Sequence, residues 1–206
     1  PVAASAYRQL PSSVRTVIVI GPSHFVRFSG ISIPDADFCR TPLGDIPLSP
    51  RASQLRLEEG VVFLPEAHRR EHSVEVQLPF LQRALRHFEL IPIVMGEFSP
   101  AKLAGMLDRI IDSSTIVIAS SDLSHYYSYE IAVQKDAECV RAIAGMDLPA
   151  MAKCEACGIG PVLAVMDLAR RRGWRGEVLD CRNSGDTAGD RSRVVGYAAI
   201  GFYGGK

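Results

Sequence analysis

The segment "VIVIGPSHF", residues 17–25, determines the fold class that the sequence predicts and points to one edge of that fold. Its apolar, β-branched run ends at a glycine and a proline, and a histidine follows. Such a run is typical of a strand that is buried on both faces, in a sheet covered by helices. His24 is therefore predicted to lie just beyond the carboxyl end of a buried strand, which is where open α/β sheets bind their ligands.

Similar runs alternate with helical patterns along the chain, which predicts an α/β fold: a three-layer sandwich with a mostly parallel or mixed central sheet flanked by helices. The predicted strands cover residues 16–20, 61–64, 90–95, 115–119, 177–181 and 194–202. The predicted helices cover residues 49–59, 73–87, 100–112, 129–145 and 161–172, with a bend at Pro79. Residues 29–49 are rich in proline and are predicted to form a long connection with a short hairpin.

Length and composition narrow the class of protein. With 206 residues the chain is long enough for one sizeable core, so we expect a single domain. Lys plus Arg and Asp plus Glu both number 23, and this balance argues against nucleic acid or an anionic membrane as a partner. No apolar run approaches the roughly 18 residues of a membrane span, and no signal peptide pattern is seen, so we expect a cytoplasmic protein. The odd number of cysteines predicts reduced thiols.

Three histidines and an aspartate are predicted at the ends of buried elements. Asp122 and His125 follow the fourth predicted strand, at the same edge of the sheet as His24. His72 directly precedes Ser73, a predicted helix N-cap. A single histidine in such a place is as well explained by a hydrogen-bonded residue under a loop, but the combination favours a functional site.

Two glutamates stand near His72 in the sequence. Glu71 and Glu75 are close enough to orient its ring. The remaining histidines, His68 and His87, lack a comparable placement and are predicted to be surface residues.

Cys154 and Cys157 form a lone C-x-x-C motif with several possible uses. A zinc ribbon would need a second such pair, which the sequence lacks, and a thioredoxin-like dithiol would open a helix at once, whereas "GIGP" intervenes here. Cys157 stands shortly before the helix predicted to start at Pro161, a place that suits a nucleophile or a soft metal ligand. The other cysteines are predicted to be small buried hydrophobes: Cys39, Cys139 and Cys181.

Five motifs, "GPSH", "EHSVEVQLPFLQ", "SSDLSHY", "CGIGP" and "NSGDTAGD" followed by "VVGYAA", give the chain a resemblance to a known family. In this order they resemble the Memo-like family, whose bacterial members are called the B component of the AmmeMemoRadiSam system. The resemblance covers essentially the whole chain. It implies a fold similar to that of the class III (LigB-type) extradiol dioxygenases, which are non-haem Fe(II) enzymes.

The resemblance also implies roles for residues in these motifs. His24 matches a metal-ligand histidine of the family and Cys157 a cysteine of the same pocket, which makes both metal-ligand candidates. Asp122 and His125 match pocket positions that bind metal or act in acid and base roles. His72 matches the histidine of the family's "EHS" segment and is included as a catalytic candidate. Further candidates, for substrate binding, come from the same motifs: Ser23, Glu75, Ser121 and Asp186.

The family pattern includes a further ligand histidine, in a Pro-His-Ala-Gly-Tyr segment at the end of a strand upstream of the helix that resembles residues 1–10. The sequence begins at that helix. We therefore expect the single domain of residues 1–206 to lack this strand and its histidine, and metal affinity to depend on whether the segment is present.

Three functions remain open from the sequence. The first is a metal-binding pocket with non-haem iron or copper redox chemistry of the dioxygenase type, for which Fe(II) is preferred and copper or zinc are alternatives. The second is a non-catalytic module that binds a peptide or another partner in the same pocket, and the third is a zinc hydrolase. The resemblance implies a radical-SAM protein and an AMMECR-type protein as partners, beside a small molecule or peptide in the pocket.

Overall fold

A computed structural model describes residues 1–204 of the chain. The strands are β1 (Thr16–Pro22), β2 (Ile31–Ser32), β3 (Phe38–Thr41), β4 (Gly44–Pro47), β5 (Val61–Val62), β6 (Glu89–Met95), β7 (Thr115–Ala119), β8 (His125–Tyr127), β9 (Arg175–Asn183) and β10 (Val194–Tyr203). The α-helices are α1 (Val2–Tyr7), α2 (Ala52–Arg56), α3 (Pro65–Arg69), α4 (Leu78–Ala84), α5 (Pro100–Ile110), α6 (Tyr129–Ala144) and α7 (Ile159–Arg171). Short 3₁₀ helices cover Glu75–Gln77, Ala150–Lys153 and Ser184–Asp186.

β1 lies inside a five-stranded sheet with the order β5-β2-β6-β1-β7. It runs parallel to both neighbours, because Thr16 pairs with Glu89 on β6 and with Thr115 on β7. Only the pairing of β2 with β6 is antiparallel among the described strands of this sheet. Since β1 and β7 run in the same direction, the loops that carry His24 and Asp122 leave the sheet at the same edge, as predicted.

The central sheet is covered by helices on both faces. Side chains of a strand alternate between its two faces, and β1 accordingly contributes to two hydrophobic clusters. Ile18 and Ile20 pack with α2, α5 and α7. Val17 and Val19 pack with α1, α3 and α4. The predicted α/β sandwich with a mostly parallel sheet is therefore confirmed.

The last two predicted strands are present but belong to a different sheet. β9 and β10 pair antiparallel over nearly their full length, and β8 adds to the other side of β10. Leu123, Cys139 and Met166 lie in a third hydrophobic cluster that also contains side chains of β10. This small sheet brings His125 towards the edge at which β1 and β7 end.

The helix predicted from Ser73 to His87 is wrong in its bounds. A 3₁₀ turn precedes the short helix α4, and Pro79 lies in the first turn of α4, where its missing N–H costs nothing. Pro79 therefore starts the helix instead of bending it. Ser73 is not an N-cap either, because its hydroxyl donates to the carbonyl of Pro22 on β1.

The cysteine prediction is also wrong in part. Cys139 on α6 and Cys154 form a disulfide, so neither is a free thiol, and the C-x-x-C motif does not act as a pair within itself. Cys39 and Cys157 are half-buried free thiols, and Cys181 is exposed instead of buried.

Three further predictions, on a hairpin, on two histidines and on membrane-spanning helices, can be compared with the structure. The hairpin predicted within residues 29–49 is formed by β3 and β4. His87 is exposed, whereas His68 is half-buried and its Nε2 lies 2.9 Å from the hydroxyl of Ser32, so the surface prediction for His68 is wrong. Among residues 1–204, no helix combines the length and the apolar character that crossing a membrane would need.

Candidate metal-binding site

His24 lies in the loop after β1, and a buried carboxylate fixes its position. Glu71 Oε1 lies 2.8 Å from His24 Nδ1, and Glu71 Oε2 accepts a hydrogen bond of 2.6 Å from the backbone N–H of His24. The side chain of Glu71 is only 2% exposed, and that of His24 is 30% exposed. The loop and the imidazole ring are thus both held by one carboxylate.

The same carboxylate also binds the backbone around it. Glu71 Oε1 accepts hydrogen bonds of 2.9 Å from the backbone N–H groups of His72 and Ser73. Burial alone would raise the pKa of Glu71, but the hydrogen bonds from His24 and Ser73 outweigh it and lower the pKa to about 2. Glu71 is therefore ionised at neutral pH.

A close approach of two backbone segments keeps this arrangement compact. Ser73 packs against Gly21 of β1, where a Cβ atom would have no room. The Ser73 hydroxyl donates to the carbonyl of Pro22 at 2.9 Å. Glycine at position 21 lets the segment that carries Glu71 reach the end of β1.

His72 lies beside His24 but is held less firmly. The two rings are stacked, with centroids 5.0 Å apart and planes 10° apart, and the His72 side chain is 56% exposed. His24, Glu71 and His72 each offer a ligand atom, and these atoms lie within 4.8 Å of one another, so the group could hold a metal ion. Imidazole lone pairs lie in the ring plane, so His72 would have to turn to share an ion with His24.

Cys157 reaches the site from another part of the chain, at the start of α7. Its Sγ accepts a hydrogen bond of 3.1 Å from the backbone N–H of Asp122, and its own N–H donates to the Asp122 carbonyl at 3.2 Å. Gly158 follows and packs against the carbonyl of Ser120 with no room for a Cβ atom. These contacts bind the loop before α7 to the loop after β7.

Asp122 and His125 form the looser half of the site. Asp122 Oδ2 lies 3.9 Å from His125 Nε2, beyond hydrogen-bond distance, and the two side chains are 48% and 30% exposed. Burial raises the pKa of Asp122, and the neighbouring His125, His24 and His72 only partly offset this effect. The carboxylate therefore holds a proton more readily than an ordinary aspartate.

A β-bulge next to His125 determines the direction of its side chain. Tyr126 has a positive φ of 65°, and the pairing of β8 with β10 is irregular at this point. Bulges next to functional sites commonly redirect a side chain. Glu155 supports the strand from the other side, because its carboxylate accepts from Tyr127 Oη at 2.9 Å and from the His125 N–H at 3.4 Å.

A cavity of about 500 Å³ joins the two metal-ligand candidates that the sequence predicted. His24 and Cys157 both line it, and so do the aromatic side chains of Phe25, Phe28 and Phe98. The structure therefore brings an imidazole and a thiol from distant parts of the sequence to one largely apolar space.

The remaining sequence candidates differ in their positions. Ser23 lines the cavity, but its hydroxyl donates to the Val26 carbonyl at 2.6 Å and stabilises the loop. Ser121 Oγ accepts from the Gly158 N–H at 2.9 Å and lies 3.8 Å from Cys157 Sγ. Glu75 is exposed on the 3₁₀ turn.

Asp186 serves a local structural purpose. Its carboxylate accepts from the backbone N–H of Asn183 and from Tyr129 Oη, which completes a capping box. It does not line the cavity that holds His24 and Cys157.

Two contributing residues were misjudged or missed from the sequence. Glu71 was expected to orient His72, but its Oε1 lies 3.8 Å from His72 Nδ1 and 2.8 Å from His24 Nδ1. Glu155 was not predicted at all. Its place between the two cysteines of the C-x-x-C motif was the available signal, because an acidic residue there must lie beside the thiol loop.

Comparisons with known proteins agree with this fold. A family model described as "Memo-like protein" matches residues 1–201. A MEMO1 family protein of Sulfolobus acidocaldarius is 36% identical over 98% of this chain and 77% of its own length, and one of Methanosarcina mazei is 37% identical over 97% and 79%. The crystal structure of an uncharacterized protein of Escherichia coli K12 has the same fold, with a TM-score of 0.56, 14% identity and coverage of 94% of this chain and 90% of that one. The chain therefore belongs to the Memo-like protein family.

Proposed function

We propose that this chain binds a redox-active divalent metal, with Fe(II) preferred over copper or zinc, in the cavity between His24 and Cys157 and uses it to act on a small molecule. The observation that carries the proposal is that this imidazole and this thiol line one cavity. Imidazole and thiolate are ligands that suit iron, copper and zinc and do not suit magnesium. A bound iron or copper ion would supply one-electron chemistry with oxygen.

The donor groups around the cavity fit such an ion. His24 uses Nδ1 for Glu71, which leaves Nε2 as its ligand atom. Asp122 is bound through its backbone N–H and carbonyl to Cys157, so its carboxylate is the nearest acidic candidate for a third ligand on the thiol side. His72 is exposed enough to turn towards the same ion.

The protein's own residues would also bind the substrate and move protons. Phe25, Phe28 and Phe98 supply apolar surface that suits a small aromatic molecule. His125 stands at the edge of the site next to Asp122, where its imidazole could serve as a general acid or base. Its long contact with Asp122 leaves the imidazole free to exchange a proton.

Elemental analysis of protein purified without chelators and without oxygen tests the proposal. We expect near-stoichiometric iron or copper, lost in His24→Ala and kept in the matched control His87→Ala, since His87 is exposed and lies outside this cavity. Cys157→Ser should lower the affinity for soft metal ions more than the affinity for hard ones. Metal-free wild-type protein would contradict the proposal.

A second candidate function, binding of a peptide without turnover, is favoured by one observation. Phe25 is 53% exposed at the mouth of the cavity, and the Arg70 guanidinium lies 5.4 Å from the centre of its ring. An exposed aromatic side chain with a cation beside it suits a peptide ligand. Oxygen consumption with catechols and Fe(II) separates the two functions: turnover supports the enzyme, and peptide binding without turnover supports the module.

A further inference from the structure

We infer that Glu71 is a positioning residue, which fixes His24 in the tautomer that carries its proton on Nδ1 and so directs the Nε2 lone pair to the metal; this inference rests on the proposed metal-binding function. Neutral imidazole has one N–H donor and one acceptor nitrogen, and the partner of one nitrogen decides which is which. Glu71 is buried and lies 2.8 Å from Nδ1. Glu71 Oε1 already accepts from the backbone N–H groups of His72 and Ser73, so it is an acceptor oxygen and Nδ1 must be the donor.

The backbone contacts explain why the carboxylate is fixed. Three backbone N–H groups, those of His24, His72 and Ser73, donate to its two oxygens. These donors hold the carboxylate whatever the state of the imidazole. The ring of His24 therefore adapts to Glu71, and Glu71 does not adapt to the ring.

The same contacts argue against Glu71 as a direct metal ligand. Its Oε1 already has three hydrogen-bond partners: His24 Nδ1 and the N–H groups of His72 and Ser73. A carboxylate oxygen with its lone pairs engaged in this way has little left to offer an ion. Oε2 accepts from the His24 N–H and is buried with the rest of the side chain, away from the solvent-accessible ring edges of the two histidines. Glu71 thus acts on the metal through His24.

Glu71 also makes the two stacked histidines differ in how firmly their tautomers are fixed. It binds the backbone of His72 but lies 3.8 Å from its Nδ1, so the His72 ring is free to choose either tautomer. The site would then contain one imidazole whose metal-ligand atom is fixed, that of His24, and one imidazole, that of His72, that can offer either nitrogen. A carboxylate that holds a ligand histidine in this way typically contributes 10- to 100-fold to metal affinity.

Nitrogen-15 NMR of the histidine rings in metal-free wild-type protein tests the inference directly. The measurement is made at a pH at which the ring is neutral, because only a neutral imidazole has a tautomer. We expect the His24 ring to be protonated on Nδ1 alone, and to keep this proton when Zn(II) is added while the Nε2 signal shifts. Protonation on Nε2, or loss of the Nδ1 proton when Zn(II) binds, would overturn the inference.

Zn(II) affinity of folded variants supplies the second readout. Glu71→Gln replaces one acceptor oxygen by an N–H₂ group that opposes at least one of the present donors, so we expect an affinity loss of about 10- to 100-fold. Glu66→Gln on the exposed surface of α3 should have no effect. Ser73→Ala removes the bond to Pro22 and should lower stability without changing the His24 tautomer.

The outcomes separate the inference from the proposed function. Absence of Zn(II) binding to wild-type protein, with the Nδ1 tautomer present, would contradict the function and leave the positioning intact. Zn(II) binding that is equally tight in Glu71→Gln would overturn the positioning role and leave the function intact. If Glu71→Gln does not fold, the tautomer of the wild-type protein still decides.

Discussion

The two halves of the candidate site are held in opposite ways. On the β1 side, the carboxylate of Glu71 is 2% exposed and has four N–H partners. On the β8 side, Asp122 is 48% exposed and stands 3.9 Å from His125, and Tyr126 adopts a positive φ. The difference separates a rigid half, fixed by a buried carboxylate, from a looser half whose carboxylate is nearly half exposed.

Removal of the buried carboxylate should have the largest effect. Glu71→Ala leaves three backbone N–H groups and the His24 ring without a partner, and we expect a loss of roughly 4 kcal/mol in the free energy of unfolding. Glu155→Ala, on the looser side, should cost about 1 kcal/mol or less because that carboxylate is 39% exposed. Urea denaturation of both variants measures this contrast. Equal losses in the free energy of unfolding would show that the two halves are not held differently.

The second-largest effect should be a loss of stability at acid pH, caused by protonation of Glu71 in the rigid half. The folded-state pKa of Glu71 is about 2, below its ordinary value of 4.5, so its contribution is fully present above pH 4.5 and is lost as the pH falls towards 2. The difference corresponds to about 3 kcal/mol. Unfolding of metal-free protein as a function of pH measures it, with Glu71→Gln as the matched control. A control that loses as much stability as wild type over this range would refute the assignment.

The bulge at Tyr126 gives a smaller effect. A β-branched residue tolerates positive φ poorly, whereas asparagine adopts it readily. We expect Tyr126→Val to be about 1–2 kcal/mol less stable than Tyr126→Asn and to shift the NMR signals of the His125 ring. Two variants of equal stability would mean that the backbone at this position is not what directs His125.

Asp122→Asn should have the smallest effect and the opposite sign. Burial raises the pKa of Asp122, so the ionised side chain is slightly unfavourable in the folded metal-free protein. Because the side chain is nearly half exposed, solvent screening limits the gain to below about 0.5 kcal/mol. A clear loss of stability in thermal unfolding would show that this half is as tightly organised as the other.

The sequence predicted the central sheet well because local pattern determines it. β1, β6 and β7 are uninterrupted apolar runs, and a run of that kind has few places other than a covered sheet. His24 and Asp122 were predicted from the strand pattern to lie at one edge, and the structure places them there. Cys157, which only the family resemblance assigned to the same pocket, contacts Asp122.

The misses all depend on contacts between distant segments. Glu71 binds His24, which lies 47 positions away in the sequence. Its immediate neighbour His72 was the obvious partner from the sequence, so the contact with His24 was not predicted. Cys139 meets Cys154 only because the chain folds back after α6. The helix predicted from residue 73 fails because the hydroxyl of Ser73 is used by β1 instead of capping a helix. Sequence pattern predicts elements, but such partners follow from packing.

The order of the central sheet has a consequence for the protein during its synthesis. β1 is completed early, but its two neighbours end at Met95 and Ala119. A ribosome adds about 5–20 residues per second, so the apolar segment of β1 waits on the order of 5–20 s for its second edge to be covered. During that time at least one edge of β1 is unpaired and at risk of aggregation, and nascent chains of this protein are expected to need a chaperone until β7 emerges.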